Sequence, residues 1–380
     1  MKIDLRFTEN NFYCKVLIDL GEVKTNKFEF LLNDNLEIHK TKCNNIDVNF
    51  KVVEKINPLF RSTCKKMVIE SENDINKIEL EYSGTVAIFG DDEGVGITEQ
   101  IKVLSFYTSW YPQELSHQDI LNEEIIIHDC ENFFVVKGVY DKENKVWKYG
   151  NQGFDPYNII AYRKDVLKIV SNEYFNVFYI DESIAQSANE LKEAYTHILN
   201  FYQKELFPEI NINVMDIACL SPALNDYGAY KRKDLLVTSV LGEDQFNILW
   251  FLGHELAHEW CKEADVFCWE DWLNEGTAEW AWILYALKYQ KDMFINKIEP
   301  KLKESINIGG VKTADGSRPQ DVHIRSAVIL YKVYLKYGEE IVKQIIQQFV
   351  KLEIATTNNL LIAIENNISK DVALFLKDIL

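Results

Sequence analysis

His254-Glu255-Leu256-Ala257-His258 sets two imidazoles and a carboxylate close together in the chain, and residues of these types at this spacing do hydrolytic metal chemistry. Histidines four residues apart on a helix project from the same face one turn apart, so both reach a single ion. The glutamate after the first histidine then stands near the ion's open side, where it can take a proton from water. Only seven histidines occur in 380 residues, so the arrangement is rare by chance. The plainer reading is an amphipathic helix with two surface histidines, and the downstream sequence weighs against it.

Glu275 lies seventeen residues past His258, inside Trp272-Leu273-Asn274-Glu275-Gly276-Thr277-Ala278-Glu279-Trp280. Zinc in a hydrolase takes three protein ligands and keeps one position open, and a carboxylate on a second helix completes a His-His-Glu set. Glu275 is the expected third ligand, which gives one zinc per chain. An apolar, Trp-rich flank is a poor place for a carboxylate with nothing to bind. Glu279 follows one helical turn later and leans toward the same region. There it can accept the second ring N–H of a ligand histidine and fix its tautomer; its plain reading is a solvated helix carboxylate.

HELAHEW followed by CWEDWLNEG resembles the zinc signature of the aminopeptidase N-like family of gluzincins. Sixteen residues separate His258 from Glu275, fewer than in the family pattern, so the loop from Cys261 to Phe267 is short. The resemblance implies the zinc-ligand role for His254, His258 and Glu275, and the general-base role for Glu255. It also implies an α+β fold, with a β-rich N-terminal domain followed by a thermolysin-like, mainly helical zinc catalytic domain. Three further segments are similar to the family: Ile78-Glu79-Leu80-Glu81-Tyr82-Ser83-Gly84, Trp110-Tyr111-Pro112, and Thr357 to Leu380.

Two departures from the family matter. Its aminopeptidases carry a G-x-M-E-N edge strand whose Glu grips the substrate's free amino group. Gly228-Ala229-Tyr230-Lys231-Arg232 stands in the corresponding place, which makes Gly228, Ala229 and Lys231 expected substrate contacts. A cationic edge repels an ammonium and attracts carboxylates; its plain reading is a basic edge that blunts sheet-to-sheet aggregation. The family's oxyanion-binding Tyr has its counterpart at His323, in His323-Ile324-Arg325-Ser326-Ala327. His323 is the expected donor to the developing oxyanion, with Arg325 as the other candidate. The plain reading of His323 is an ordinary helix-start histidine.

A formal charge of −18 argues against nucleic acid and anionic membrane surfaces as partners and leaves a peptide as the expected one. Neither a secretory signal nor a membrane-length apolar run is evident. Seven cysteines at irregular spacing suit a reducing, cytoplasmic setting. Cys261 and Cys268 flank the short loop and read as free thiols rather than a second metal or redox pair. His39, His117, His128 and His197 stand alone and read as structural.

Residues 1–172 read as short strands, for example Phe12 to Leu20, Lys27 to Leu32, Ile78 to Tyr82, Ile101 to Tyr107 and Phe133 to Val139, with turns at Asp91–Gly94 and Asp141–Asn144. Residues 173–380 open on a strand from Phe175 to Ile180 and then turn helical, over about 183–204, 244–261, 272–290, 323–336, 338–352, 357–366 and 369–379. The family's C-terminal helical roof has no counterpart, which implies an open cleft. The reading is a zinc metallopeptidase, aminopeptidase-like in scaffold. An endopeptidase or a leader-type processing protease stays open beside the aminopeptidase. A non-catalytic peptide-binding relative, or hydrolysis of an ester or epoxide, is a more distant alternative.

Overall fold

The computed structural model describes the chain apart from residues 22–24, 58–61, 89–95, 115–123, 151–157, 208–214, 221–228, 233, 240–244 and 261–263. The chain is α+β, strand-rich at the N-terminal end and helical at the C-terminal end. It forms two compact units: Met1–Ile184 with Val214–Ser239, and Ala185–Asn213 with Val240–Leu380.

In the first unit, alternation sets the strands. Phe12, Cys14, Val16 and Ile18 are buried while Lys15 and Asp19 between and after them are exposed, the period-two pattern of a sheet with one covered face. The strand Phe12–Asp19 lies in an eight-stranded sheet between Lys2–Phe7 and Lys77–Gly84. Its core includes Trp110, whose ring meets Phe12 edge to face. Two expected strands are shorter than the pattern suggested. Ile101–Leu104 gives way to a 3₁₀ turn at Phe106–Thr108, where the Ser105 side chain accepts from Tyr107 N. Phe133–Val135 stops before Lys137, which takes a positive φ of 63°. The hairpin turn at Asp141–Asn144 is present, with Asp141 Oδ1 accepting from the amides of Glu143 and Asn144. Asp91–Gly94 lies outside the described residues.

A five-stranded sheet runs in the order Lys168–Ser171, Phe175–Tyr179, Met215–Cys219, Leu235–Thr238 and Ala229–Arg232. The cut expected after residue 172 falls between its first two strands, which pair antiparallel. The sheet's Phe178, Ala218, Tyr230 and Val237 share a core with Ile101, Val103 and Tyr162, and Tyr162 Oη donates to Cys219 O at 3.0 Å. Shared burial thus ties this sheet to the strand-rich unit, a tertiary effect that strand patterning along the chain does not carry. Ala229–Arg232 is one of the two edge strands, antiparallel to its neighbour, with Lys231 opposite Leu236.

The second unit contains the helices α1 (Ala185–Phe201), α2 (Gln245–Ala257), α3 (Trp272–Tyr289), α4 (Lys291–Met293), α5 (Glu299–Glu304), α6 (Val322–Tyr337), α7 (Glu339–Val350), α8 (Thr357–Asn367) and α9 (Lys370–Ile379). The short helices between 291 and 304 were not expected; they are charged and carry a proline at the start of α5, so no apolar periodicity marks them. α3 is the hub. Trp272, Trp280 and Trp282 are fully buried, and Trp280 Nε1 donates to Ala327 O of α6 at 2.8 Å. Gly276 faces Ser326, where an added Cβ would stand 3.0 Å from the Ser326 side chain. No helix among the described residues is long and apolar enough to cross a membrane.

Candidate metal centre

α2 comes close to α3 at Gly253 and brings His254, with His258 just past its end, to that helix. A Cβ there would fall 2.9 Å from the Trp282 ring, so glycine permits the close approach of the two helices. Tyr202 Oη donates to Gly253 O at 2.7 Å, which fixes the backbone one residue before His254. The α-helix ends at Ala257, and His258 opens a 3₁₀ turn, His258–Trp260, rather than continuing to 261 as expected. Tightening of the last turn is common at helix ends, and the two imidazoles still converge. His254 Nε2 and His258 Nε2 are 3.2 Å apart.

Glu275, in the first turn of α3, presents Oε2 to this pair, 3.2 Å from His254 Nε2 and 3.9 Å from His258 Nε2. His323, in the first turn of α6, brings Nδ1 to 2.9 Å from the same oxygen. Yet Oε2 is buried and accepts no hydrogen bond. An ionised carboxylate oxygen in that state is costly unless a cation satisfies it. Bonds of about 2.0–2.1 Å to a tetrahedral zinc would set ligand atoms about 3.3–3.4 Å apart, close to the separations seen. Nitrogen and carboxylate donors converging on an orphaned oxygen fit zinc.

Glu279 lies one turn beyond Glu275, and its Oε2 is 3.1 Å from His254 Nδ1. The same carboxylate accepts from Trp250 Nε1 at 2.9 Å. His254 is thus held between Glu275 and Glu279. Burial alone would lower its pKa, but the two carboxylates hold it well above the ordinary histidine value. Burial alone would push the Glu275 carboxyl up, but the neighbouring His254, His323 and His258 hold it well below the usual carboxylate range. Glu255 follows His254 on α2 and is half-buried.

The other oxygen of Glu275, Oε1, faces Arg318 Nη2 at 3.9 Å. Arg318 is itself buried against Asp271, Nε to Oδ2 at 2.5 Å. Asn274 donates to Asp271 Oδ1 and to Ala264 O, and it accepts from Ala264 N. The segment carrying Arg318 is docked by the bridge pairing Cys268 with Ser317 and by Trp269 N donating to Gly316 O. Arg318, Asp271 and Trp250 escaped the sequence reading. The arginine comes from a loop with turn chemistry, and Trp250 reads as one more apolar helix residue; the acidic residue four before Glu275 was the one available hint.

Arg325 turns elsewhere: its Nε meets Asp321 Oδ1 and its Nη1 donates to Gly310 O. Ala229 and Lys231 lie on an edge strand of the five-stranded sheet in the other unit, while Gly228 lies outside the described residues, as do Cys261 and His117. Cys268 is a free thiol, pushed up in pKa by burial. His39, His128 and His197 each pair locally, with Ser83, Asp4 and Tyr285.

The whole chain can be laid over solved structures. A zinc metallopeptidase of the M1 class from Deinococcus radiodurans matches with a TM-score of 0.61 at 14% identity, over 99% of this chain and 91% of that one. A mutant of that enzyme bound to a Tyr-Ser-Ala substrate matches with the same score and identity, over 99% of this chain and 92% of that one. Leukotriene A4 hydrolase from Saccharomyces cerevisiae gives 0.64 at 14% identity, over 99% of this chain and 65% of that one. The fold is that of the M1 zinc metallopeptidases. No protein-family model matches the chain, and no curated sequence does.

Proposed function

We propose that this chain is a zinc-dependent peptidase of the M1 fold, with zinc held by His254, His258 and Glu275. The observation that carries the reading is the buried Glu275 Oε2 with imidazole nitrogens converging on it and no hydrogen-bond donor of its own. When bound, zinc supplies a Lewis acid and lowers the pKa of water. Glu255 accepts the proton of the attacking water on its carboxylate and returns it to the nitrogen of the leaving amine. Glu279 accepts a hydrogen bond from His254 Nδ1–H, which keeps the proton on Nδ1 and leaves the Nε2 lone pair for the centre. His323 is the donor for the carbonyl oxygen as it becomes an oxyanion, since the Arg325 guanidinium is occupied by Asp321 and Gly310.

By the resemblance, Lys231 takes the place of the family's amine-binding Glu. A lysine in place of a glutamate removes the charge that attracts a substrate ammonium. On that exchange we favour an endopeptidase or processing protease over an aminopeptidase, with cleavage that does not require a free amino terminus. The test is zinc-loaded protein on a mixed peptide library read by mass spectrometry, with one cleaved peptide remade in acetylated form. Equal or better kcat/KM for the acetylated peptide supports the reading. Strict dependence on the free amine contradicts the endopeptidase assignment, and absence of any cleavage contradicts the peptidase.

A further inference from the structure

The open side of the zinc set has a side chain of its own. His323 Nδ1 lies 2.9 Å from Glu275 Oε2, closer than His254 or His258. Its ring centroid is 5.9 Å from that of His254. Ligand atoms of His254, Glu275 and His323 all lie within 4.8 Å of one another. At 2.9 Å a ring N–H aimed at the oxygen would form a hydrogen bond, yet Oε2 accepts none. A nitrogen and an oxygen this close with no hydrogen bond between them suit two ligands of one ion. Exposure grades across the set: the side chains of His254 and Glu275 are 7% and 14% exposed, His258 is 26% and His323 is 60%. His323 is therefore the solvent-side member, where a hydrolase keeps its open position.

We infer that His323 is a displaceable fourth protein ligand, closing the zinc centre at rest and leaving it when a carbonyl group arrives. This deepens the zinc reading and rests on it. Neighbours hold the inner part of the set: Tyr202 bonds the α2 backbone at Gly253, Glu279 holds His254 and is itself held by Trp250, and Arg318 lies beside Glu275. His323 sits on the first turn of α6 with its ring largely in solvent, so rotation about its side-chain bonds carries it off without moving a helix. Once off, the same ring is beside the carbonyl oxygen it is to stabilise. Four protein donors describe a closed, structural kind of zinc site and three an open, catalytic kind; this centre alternates between them.

The experiment is zinc K-edge X-ray absorption on the full-length protein loaded with one equivalent of zinc, beside a zinc-affinity titration against a chromogenic chelator. Wild type is expected to fit three imidazoles and His323→Ala two. The variant's affinity should fall by at least the ~10-fold typical of losing a partner of a zinc site. Two imidazoles in wild type, with unchanged affinity in the variant, would overturn the inference and leave the His254-His258-Glu275 centre standing. Wild-type protein that binds no zinc would overturn both. Should His323→Ala lose its circular-dichroism spectrum, the wild-type imidazole count alone decides.

Discussion

Lys137 lies between two carboxylates in the strand-rich unit, 3.0 Å from Asp216 and 2.9 Å from Asp234. His254 lies between two others in the helical unit, 3.2 Å from Glu275 and 3.1 Å from Glu279. Both are cations or potential cations held by paired acids and mostly withdrawn from water. They differ in what is left over. An ammonium carries three donors, enough for both aspartates, and Asp216 Oδ1 takes a further bond from Asn176 at 2.7 Å. An imidazole has two nitrogens; one goes to Glu279, and the other meets His258 and Glu275 together, leaving Oε2 of Glu275 orphaned. A closed cluster stabilises a fold, while a cluster short of one cation is a site.

Lys137→Met strands two neighbouring aspartates, and breaking a buried pair costs on the order of 3–5 kcal/mol. Urea unfolding should show that loss with zinc content unchanged. A loss under about 1 kcal/mol would place the cluster with ordinary surface pairs.

Glu279→Gln probes the other cluster. Losing the carboxylate behind His254 should weaken zinc binding by about 10–100-fold, read by chelator competition, with little change in unfolding. The opposite pattern, intact affinity and a large stability loss, would make Glu279 structural in the manner of Asp234.

Glu205 inverts the theme, one carboxylate between Lys288 at 2.8 Å and Lys343 at 3.0 Å. These bonds lower its pKa from the ordinary value to about 2. A carboxyl depressed on folding contributes stability above its unfolded pKa and loses it as the pH falls through the folded one. The stability gap between wild type and Glu205→Gln should therefore be widest near about pH 6 and shrink toward about pH 3. The effect is small because the group is solvent-screened; a gap unchanged with pH would mean that the two lysines hold the side chain without holding its charge.

What sequence alone can reach here follows the range of each interaction. His254 and His258 share a helix-end turn, and Glu275 opens the next long helix, so local periodicity brings these side chains together once two helices pack. Gly253 and Trp282 make that packing, and neither announces it in sequence. Arg318 and Trp250 act through space from a loop and from an apolar helix face, where no spacing rule operates. Of the five-stranded sheet only Phe175 to Ile180 and the edge at 228–232 were singled out in the sequence, and the sheet's membership of the strand-rich unit depends on Tyr162, Phe178 and Val237 meeting in one core. His323 was legible as a candidate oxyanion donor through the family resemblance, and its 2.9 Å approach to Glu275 was not.

Glu255 divides metal binding from chemistry, so one paired measurement bears on the whole account: zinc content and peptide turnover of wild type and Glu255→Gln, prepared together. One zinc per chain in both proteins is predicted, with turnover in the variant reduced by at least about 100-fold, the scale of losing a general base. Zinc-loaded Glu255→Gln that still cleaves peptides at the wild-type rate, or active wild type free of metal, would contradict it.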